Sequence, residues 1–357
     1  MRVNEKAIIT LICCVIISVG FFSGCMEKRS DISKSETEEA EYKIDIYNPN
    51  KAYNGTTIFG DGSESSSPKI VEVDMNGNII WEYKISPNMI RGKLVGFDTE
   101  LLSNNNVLMV LSQSGVYEVD RDGNVVWSYL DPKVSHDADR LLNGNTLVVF
   151  GNNDTKDDAQ VKEINQTGEI VWEWHAKDVY GNDMRYKDIQ MQGWTHANAV
   201  QRLKNGNTMI NLRNFYLTVI VDKNGSVIRE YDWSKFGNDT DPHEPEIHED
   251  NNTLLICLQN DSPYVAVEIN METEEVLWTY INHNIRTARD GNKLPNGNVL
   301  IVAVDNGGTN NNVNMQDDFS TILEVTANGE IVWRLDLKNI SVGKGPGWFY
   351  KAERINS

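Results

Sequence analysis

Apolar runs and turn residues alternate along this chain in a unit that is repeated six times. Each unit holds a polar loop, an apolar run, and a tight turn followed by a short apolar strand that usually ends in Trp. The turn and the strand after it recur at residues 74–81, 122–127, 167–172, 224–229, 274–278 and 328–333. A unit of this length is typical of a propeller blade, and no helical periodicity competes with it. The repeat therefore predicts an all-β protein with six blades.

The third unit shows the four strands that we expect in each blade. His136–Leu141 has a period of two and leads into the turn at Asn143-Gly144. This dipeptide favours a hairpin, because both residues accept a positive φ. Thr146–Phe150, Val161–Ile164 and Ile170–Trp174 are the predicted second, third and fourth strands. We expect the recurring Trp to pack between adjacent blades, where a large ring fills a wedge-shaped gap.

The two ends of the repeated region predict how the ring closes. The first unit begins at its second strand, Tyr53–Phe59, with no convincing first strand before it. The last residues, Tyr350–Ile355, resemble that missing strand. We expect them to complete the first blade, because closure removes the exposed edges that would otherwise aggregate. The prediction is a six-bladed β-propeller of four-stranded blades over residues 43–357.

The N-terminal segment indicates export from the cytoplasm. Two basic residues precede the apolar run Ala7–Phe22, which leads into Ser23-Gly24-Cys25. Small residues before a Cys resemble a lipoprotein cleavage box, so we interpret residues 1–25 as a signal peptide and Cys25 as the lipidated residue. The alternative is an uncleaved membrane anchor, for which the run is short. Residues 26–42 are rich in Ser, Glu and Lys and predict a solvated tether. Either interpretation places the propeller outside the cytoplasm, on the outer face of the membrane.

Charge and cysteine content narrow the function further. The 357-residue chain has 33 basic and 52 acidic residues, a net charge of -19. This balance excludes nucleic acid as a partner, since phosphates require clustered Lys and Arg. Cys13 and Cys14 lie in the signal segment, and Cys257 lies in the apolar run Leu254–Leu258. Cys257 has no disulfide partner, so we expect a buried core residue.

The residues that face the central channel follow from aligning the units on their turns. The position seven residues before each turn holds Phe97, His136, Asn198, His243, Arg289 and, in the closing strand, Tyr350. His196 lies two residues before Asn198 and points to the same face. Histidines that converge from different blades can act as nucleophile, base and electrostatic partner for an anion.

The three histidines have two alternative roles, as core residues or as zinc ligands. A single His on an inner strand is more often a satisfied core group, and three His can bind zinc. We favour neither, because three histidines and an Arg converge and no carboxylate or Cys pattern supports a metal. His248 adjoins Glu249-Asp250 at a turn and is expected to be solvated, and His175 and His283 fall in loops at the blade ends.

At these residues the sequence resembles the arylsulfate sulfotransferase family. The similarity runs through the His-x-Asn strand Trp194–Val200, its Asn-Gly turn and the strand end Ile210–Arg213. It continues in Pro242–Pro245, which is similar to the family's Gln-His-Asp segment, although Pro242 and Glu244 replace the Gln and the Asp. The resemblance covers residues 44–357 and preserves the order His136, His196, Arg213, His243. The family's additional N-terminal β-domain and its disulfide are missing, so the oligomeric state is not predicted.

The resemblance implies a six-bladed propeller that moves a sulfuryl group from an aryl sulfate to a phenol without the nucleotide PAPS or another cofactor. It implies that His243 attacks sulfur and becomes sulfated. Arg213 and His196 then hold the sulfuryl oxygens, and His136 is the general acid and base. We further assign Asn198, Arg289, Phe97 and Tyr350 to substrate binding, with the two aromatic rings stacking on the aryl group. No metal is implied.

Two rival functions follow from the fold alone. One is a non-catalytic propeller at the cell surface that binds a ligand or a protein, which would need none of the three histidines. The other is a quinone-dependent dehydrogenase, which we rank last because the chain shows no paired Cys or calcium-ligand pattern. The irregular insertions 179–193 and 307–318 are either lids over the channel or surface loops.

Overall fold

The repeated pattern folds into six antiparallel sheets that follow one another in a ring. The computed structural model describes residues 42–64, 66–91, 97–237, 239–259, 262–306, 318–337 and 349–356. The predicted signal segment 1–25, most of the predicted tether and the part of the second insertion at 307–317 lie outside the described residues. Among the described residues, no helix is long and apolar enough to cross a membrane.

The strands of the first three blades pair in chain order, except that in blade 1 the C-terminal strand lies inside the first one. Blade 1 contains β2 (Thr56–Asp61), β3 (Lys69–Val73), β4 (Ile79–Lys84) and the C-terminal β25 (Ala352–Ile355). Blade 2 contains β5 (Phe97–Leu101), β6 (Val107–Leu111), β7 (Gly115–Val119) and β8 (Val125–Tyr129). Blade 3 contains β9 (Ala138–Arg140), β10 (Thr146–Val149), β11 (Val161–Ile164) and β12 (Ile170–Trp174). The third and fourth strands predicted for this unit are confirmed, and its first strand is shorter than predicted.

The last three blades follow the same plan, and blade 6 gains a fifth strand. Blade 4 contains β13 (Ala197–Arg202), β14 (Thr208–Leu212), β15 (Leu217–Val221) and β16 (Val227–Asp232). Blade 5 contains β17 (His243–His248), β18 (Thr253–Cys257), β19 (Ala266–Asn270) and β20 (Val276–Tyr280). Blade 6 contains β21 (Ile285–Lys293), β22 (Val299–Asp305), β23 (Phe319–Val325), β24 (Ile331–Leu337) and the added β1 (Lys43–Tyr47). The described helices are α1 (Lys177–Tyr180) and 3₁₀ turns at Pro87–Met89, Met184–Tyr186, Arg213–Phe215 and Ser234–Phe236.

The added strand β1 covers an edge that the other blades leave open. It pairs antiparallel with β24, and Val332 on that strand is fully buried. The equivalent Val126 in blade 2 is 51% exposed. Tyr42, assigned to the tether in the sequence, is instead buried: its ring packs edge-on against Phe59 and its hydroxyl bonds to Asp61. The packed domain therefore begins at least one residue earlier than predicted.

The predicted closure of the ring is confirmed. β25 pairs antiparallel with β2, from Thr56 opposite Ile355 to Phe59 opposite Ala352. The C-terminal strand thus supplies the innermost strand of blade 1, and it pairs with the inner edge of β2.

The hairpin turns differ in detail from the prediction. Gly144 has φ +84°, but Asn143 does not have a positive φ. The amide of Gly144 donates to the carbonyl of Leu141, and the Asn143 side chain accepts from the amide of Asn145 at 2.9 Å. Asn143 therefore uses its side chain to cap the turn, and only the glycine takes the left-handed conformation.

The recurring Trp residues contact the adjacent blade, as predicted. In four blades the indole N–H of the recurring Trp donates to a carbonyl in the last turn of the next blade, at 2.9–3.1 Å, in the pairs Trp81–Arg121, Trp127–Gln166, Trp278–Ala327 and Trp333–Met75. In blade 3 this bond comes from Trp174, two residues after the recurring Trp172, and its N–H donates to the carbonyl of Gly225 at 3.0 Å. In blade 4, where Arg replaces Trp, Arg229 donates to the carbonyl of Glu272. One side-chain hydrogen bond therefore joins every blade to the next around the ring.

The core lies between the blades rather than within one of them. One apolar cluster joins Leu147 and Val161 of blade 3 to Ile210 and Leu212 of blade 4. Cys257 is fully buried and has no disulfide, in agreement with its predicted role as a core residue. This packing fixes the positions of the inner strands, which carry the candidate site.

We predict that Trp333→Phe destabilises the protein by about 1–3 kcal/mol through the lost hydrogen bond, because the carbonyl of Met75 is left unsatisfied in a buried setting. Trp278→Phe is the matched control, since it removes the same bond where the donor is more exposed. Urea unfolding of the wild type and of both variants measures how much free energy of unfolding each substitution removes. Equal losses of free energy in both would contradict the assigned role of burial at Trp333.

Candidate active site

Five blades each place one or more polar side chains at the same end of the channel. The ring centroids of His136 and His196 lie 4.7 Å apart, and those of His136 and Tyr350 lie 6.0 Å apart. Arg289 donates to Nε2 of His243 at 2.9 Å, and its guanidinium lies 6.0 Å from the centre of the Tyr350 ring. The candidate site residues in this cluster are His136, His196, Arg213, His243, Arg289 and Tyr350.

The partners of His243 determine which ring nitrogen carries its proton. The guanidinium of Arg289 can only donate, so Nε2 of His243 accepts and holds a lone pair. Nδ1 lies 2.9 Å from the carbonyl of Asp241 and therefore donates to it. Burial, with Arg289 and Arg213 nearby, holds the pKa of His243 well below its usual value. His243 is thus a neutral imidazole whose Nε2 is available as a nucleophile.

The backbone around His243 is bent so that its ring enters the cluster. Asp241 and Glu244 each have φ +41°, a left-handed conformation that is unfavourable for residues other than Gly. The register between β17 and β18 shifts after His243, which marks a bulge there. Bulges of this kind re-aim a side chain near functional sites.

Asn198 holds this bent segment in place through one donor and one acceptor site of its side-chain amide. Its side-chain amide donates to the carbonyl of Pro242 at 3.0 Å, and its oxygen accepts from Asn211 at 2.6 Å. Asn211 also donates to the carbonyl of Pro242, and Thr218 donates to Asn211. Asn198 is fully buried. Asn198 therefore positions the segment that carries His243, and its contact with a substrate stays a prediction.

His196 is held by a carboxylate that sequence analysis did not identify. The buried side chain of Asp154 accepts from the amides of Thr195 and His196 and from the Thr195 hydroxyl, which stabilises His196 at φ +47°. Nδ1 of His196 donates to the carbonyl of Gln192 at 2.9 Å. Burial, aided by Arg213, lowers the pKa of His196 to about 3. In its resting form His196 therefore offers only a lone pair at Nε2 and donates there only after it takes up a proton.

Arg213 is oriented by Asp241 and lies next to both histidine segments. Its guanidinium forms a two-point ion pair with the carboxylate, with Nη2 2.6 Å from Oδ2. Its Nη1 lies 3.4 Å from Oε1 of Gln192, the residue whose carbonyl holds His196. A bidentate pair of this kind fixes the plane of the guanidinium and leaves its outer edge able to meet an anion.

His136 and Tyr350 complete the site with polar atoms that lack partners. Nδ1 of His136 and the Tyr350 hydroxyl are buried, and neither has a hydrogen-bond partner among the described residues. Burial, together with His196, Arg213 and Arg289, holds the pKa of His136 well below its usual value. Burial, with Glu244 nearby, raises the pKa of Tyr350. His136 can therefore accept a proton and the neutral phenol of Tyr350 can donate one.

Two predicted positions, Phe97 and His248, lie outside this cluster and differ from expectation. Phe97 packs in the apolar core between blades 1 and 2, against Gly60, so the structure gives no support for its stacking on an aryl ring. His248 is not fully solvated: it lies 3.1 Å from Glu246, and this carboxylate raises its pKa against the effect of burial. Sequence alignment on the turns could not detect that Phe97 faces a neighbouring blade.

The insertion 179–193 is a packed segment rather than a simple surface loop. Tyr180 and Tyr186 join Trp194 and Phe215 in an aromatic cluster at its base. Its last residues supply Gln192, which contacts both His196 and Arg213. The segment therefore positions the site, and the part of the other insertion at 307–317 lies outside the described residues.

The site suits a monovalent oxyanion. Among the six residues and Asp241, two guanidinium groups carry positive charge and one carboxylate carries negative charge, while the three imidazoles are neutral. Such fixed donors, aimed into a site that is largely closed to water, stabilise charge that develops on a bound anion. Within the described part of the chain, no three His, Cys, Asp or Glu side chains are grouped so that they could hold a metal.

Comparison with known proteins gives a family match and matches to solved structures. The family model described as Arylsulfotransferase (ASST) matches residues 35–215 and 209–341, most of the chain. No curated protein matches the sequence. Among solved structures, a protein of unknown function from Bacteroides caccae has a TM-score of 0.60 at 17% identity, covering 85% of this chain and 100% of that one. A streptogramin B lyase structure has a TM-score of 0.49 at 14% identity, covering 83% and 88%. The first of these likenesses shows the fold alone.

We predict that the depressed pKa of His196 makes the protein less stable in acid. The unfolded imidazole takes up a proton below about pH 6.5, whereas the folded one remains neutral to about pH 3, so the free energy of unfolding falls as pH decreases through this range. His196→Asn keeps a residue that tolerates φ +47° and removes the titration. The slope of stability against pH should decrease by up to about 1.4 kcal/mol per pH unit. Urea titrations between pH 4 and 7 test this, and equal slopes would contradict it.

Proposed function

The chain belongs to the arylsulfotransferase family, and on this premise we propose that it transfers a sulfuryl group from an aryl sulfate to a phenol through His243. The observation that supports this most directly is the pairing of Nε2 of His243 with Arg289. It presents a neutral nucleophilic nitrogen beside a guanidinium that can hold the anion under attack. Family membership supports sulfotransferase activity in general, and the mechanism below is our proposal for this chain.

In the first step, Nε2 of His243 forms a bond to sulfur as the bond from sulfur to the aryl oxygen breaks. The aryl oxide leaves with the electron pair, and the imidazole gains a positive charge. The carbonyl of Asp241, which already accepts from Nδ1, stabilises this charge. Arg289 shifts from Nε2 onto a sulfuryl oxygen, and Arg213 binds a second one.

The second step reverses the first with a phenolic acceptor. The acceptor oxygen attacks sulfur, the bond to Nε2 breaks, and His243 returns to its neutral form. The acceptor's proton passes to the neutral imidazole of His136, whose lowered pKa then favours release of that proton to water, which restores the resting site. Tyr350 donates its hydroxyl hydrogen to the phenolic oxygen of donor or acceptor. The negative charge of the bound anion favours the protonated form of His196. In that form His196 donates a hydrogen bond from Nε2 to the anion.

We predict that the purified full-length protein, given 4-nitrophenyl sulfate without acceptor, gains one sulfuryl group on the peptide that contains His243. Mass spectrometry should detect this adduct, and added phenol should remove it. His243→Ala should form no adduct, because the bond to sulfur has no nucleophile. His136→Ala should still form the adduct with this activated donor but lose it at least about 100-fold more slowly to phenol.

The result that would overturn the proposal is specific. If no donor releases phenol and no adduct appears on a folded protein, the non-catalytic binding propeller becomes the better interpretation. An adduct on a residue other than His243 would keep the activity and refute the assigned nucleophile.

We also propose that this chemistry takes place outside the cytoplasm, on a protein anchored by a lipid at Cys25. The proposal rests on the apolar run Ala7–Phe22 and the small residues before Cys25. We predict that cells expressing the protein incorporate an azide-labelled fatty acid into it, and that Cys25→Ala abolishes the label. Retention of the label in the variant would refute Cys25 as the lipidated residue.

A further inference from the structure

A layer of charged residues lies directly beside the candidate active site. The position seven residues before each turn was aligned across the six units. On five inner strands the residue directly after this position is charged, and these residues are Asp98, Asp137, Glu244, Asp290 and Lys351. The four carboxylates are buried, with 1–5% of each residue exposed. Lys351 follows Tyr350 and is the only cation in the layer.

The ammonium group of Lys351 joins three of these carboxylates from three different blades. Its Nζ lies 2.6 Å from Asp137, 3.1 Å from Glu244 and 3.3 Å from Asp98. Asp137 directly follows His136, and Glu244 directly follows His243. Lys351 therefore contacts the neighbours of both the proposed base and the proposed nucleophile.

The same carboxylates bond to the backbone of adjacent blades. Asp137 accepts from the amide of Val200 at 2.6 Å, and Asp98 accepts from the amide of Ala138 at 3.4 Å. Asp290 accepts from the amide of Ala352 at 3.1 Å. Lys351 is thus bonded into a network that reaches the inner strand of every blade.

We propose that Lys351 is a positioning residue for the sulfuryl-transfer site: it holds Asp137 and Glu244 in place and cancels their negative charge next to the bound anion. This inference rests on the proposed function. Lys351 does not touch the reacting atoms, and it acts through the backbone of His136 and His243.

The positioning part of the proposal depends on the strained backbone at Glu244. This residue has φ +41° and lies in the bulge that turns His243 into the site. A conformation of this kind persists only where surrounding contacts favour it. The ion pair to Lys351 is such a contact, since Glu244 Oε1 has no hydrogen-bond partner among the described residues.

The electrostatic part follows from the other charges around Lys351. It lies in the wall of a cavity of about 790 Å³ that also contains Glu100, Asp139, Glu246 and Glu353. The other basic side chains in the wall pair with carboxylates away from this layer. Four of them pair with third strands, Arg140 with Glu118, Arg202 with Glu163, Lys293 with Glu268 and Arg354 with Glu324, and Lys204 pairs with Asp250 in a turn. Lys351 is therefore the side chain that neutralises the carboxylates of the charged layer.

The directions of the pKa shifts agree with this role. Burial raises the pKa of Asp98 and of Glu244 well above their usual values, and Lys351 opposes that shift. Burial disfavours the charge on Lys351, yet Asp137, Asp98, Glu244 and Asp290 raise its pKa well above its usual value. Without Lys351, the pKa of Asp98 and of Glu244 would rise further, so each carboxyl group would ionise only at a higher pH.

The experiment compares Lys351→Met with Lys351→Arg in the full-length protein, measuring kcat and KM for 4-nitrophenyl sulfate between pH 6 and 9. We expect Lys351→Met to raise KM at least about tenfold at pH 9 and much less at pH 6, since carboxylates that ionise at high pH repel the anion. Lys351→Arg should restore KM. Adding Glu244→Gln to Lys351→Met should recover part of the loss at pH 9.

Lys293→Met is the matched control, because Lys293 lies in the same cavity wall but pairs outward with Glu268. It should leave KM and its pH dependence unchanged. Circular dichroism establishes that each variant is folded. A folded Lys351→Met protein with the KM and pH profile of the wild type would overturn the proposal.

A readout that does not need activity separates this inference from the proposed function. We expect the ¹⁵N chemical shifts of the His243 imidazole to change in Lys351→Met and to return in Lys351→Arg. If the wild type transfers no sulfuryl group but these shifts respond as expected, the proposed function fails and the positioning role stands. Unchanged shifts in folded Lys351→Met would refute the positioning role in either case.

Discussion

The spacing between adjacent blades is the constraint on which the rest of the structure depends. A Trp or Arg side chain from each blade bonds to a turn carbonyl of the next, and β25 closes the ring by pairing with β2. No blade contains the candidate site by itself, because its histidines, Arg289 and Tyr350 come from five different blades. A change in the angle between blades would therefore separate groups that now lie within a hydrogen bond of one another.

Burial gives these groups their chemical character. An imidazole in water titrates near neutral pH, but burial and adjacent guanidinium groups keep His136, His196 and His243 neutral in acid. The same positive groups that depress those pKa values attract an anion. Nucleophilicity and anion binding thus have one physical origin, which is the placement of two arginines beside imidazoles that are shielded from water.

Three residues at this end of the channel have left-handed backbone conformations. His196, Asp241 and Glu244 all have φ between +41° and +47°, which costs on the order of 1–3 kcal/mol for each residue. A separate interaction supports each one: Asp154 bonds to the His196 segment, Arg213 pairs with Asp241, and Lys351 pairs with Glu244. The site is therefore held in a geometry that the local sequence disfavours.

The sequence by itself determined the six blades, the closing strand and the inner positions of the histidines, because a turn and an apolar period recur at each one. Only the tertiary structure decided which side chains enter the site. Phe97 and Asn198 occupy the same aligned position as His243, yet one faces a neighbouring blade and the other binds the Pro242 carbonyl. The strand β1 and the partners Asp154, Asp241 and Lys351 also came from the structure alone. The reason is physical: alignment fixes a residue's height along a strand, whereas bulges, positive φ angles and contacts from distant blades fix the direction of its side chain.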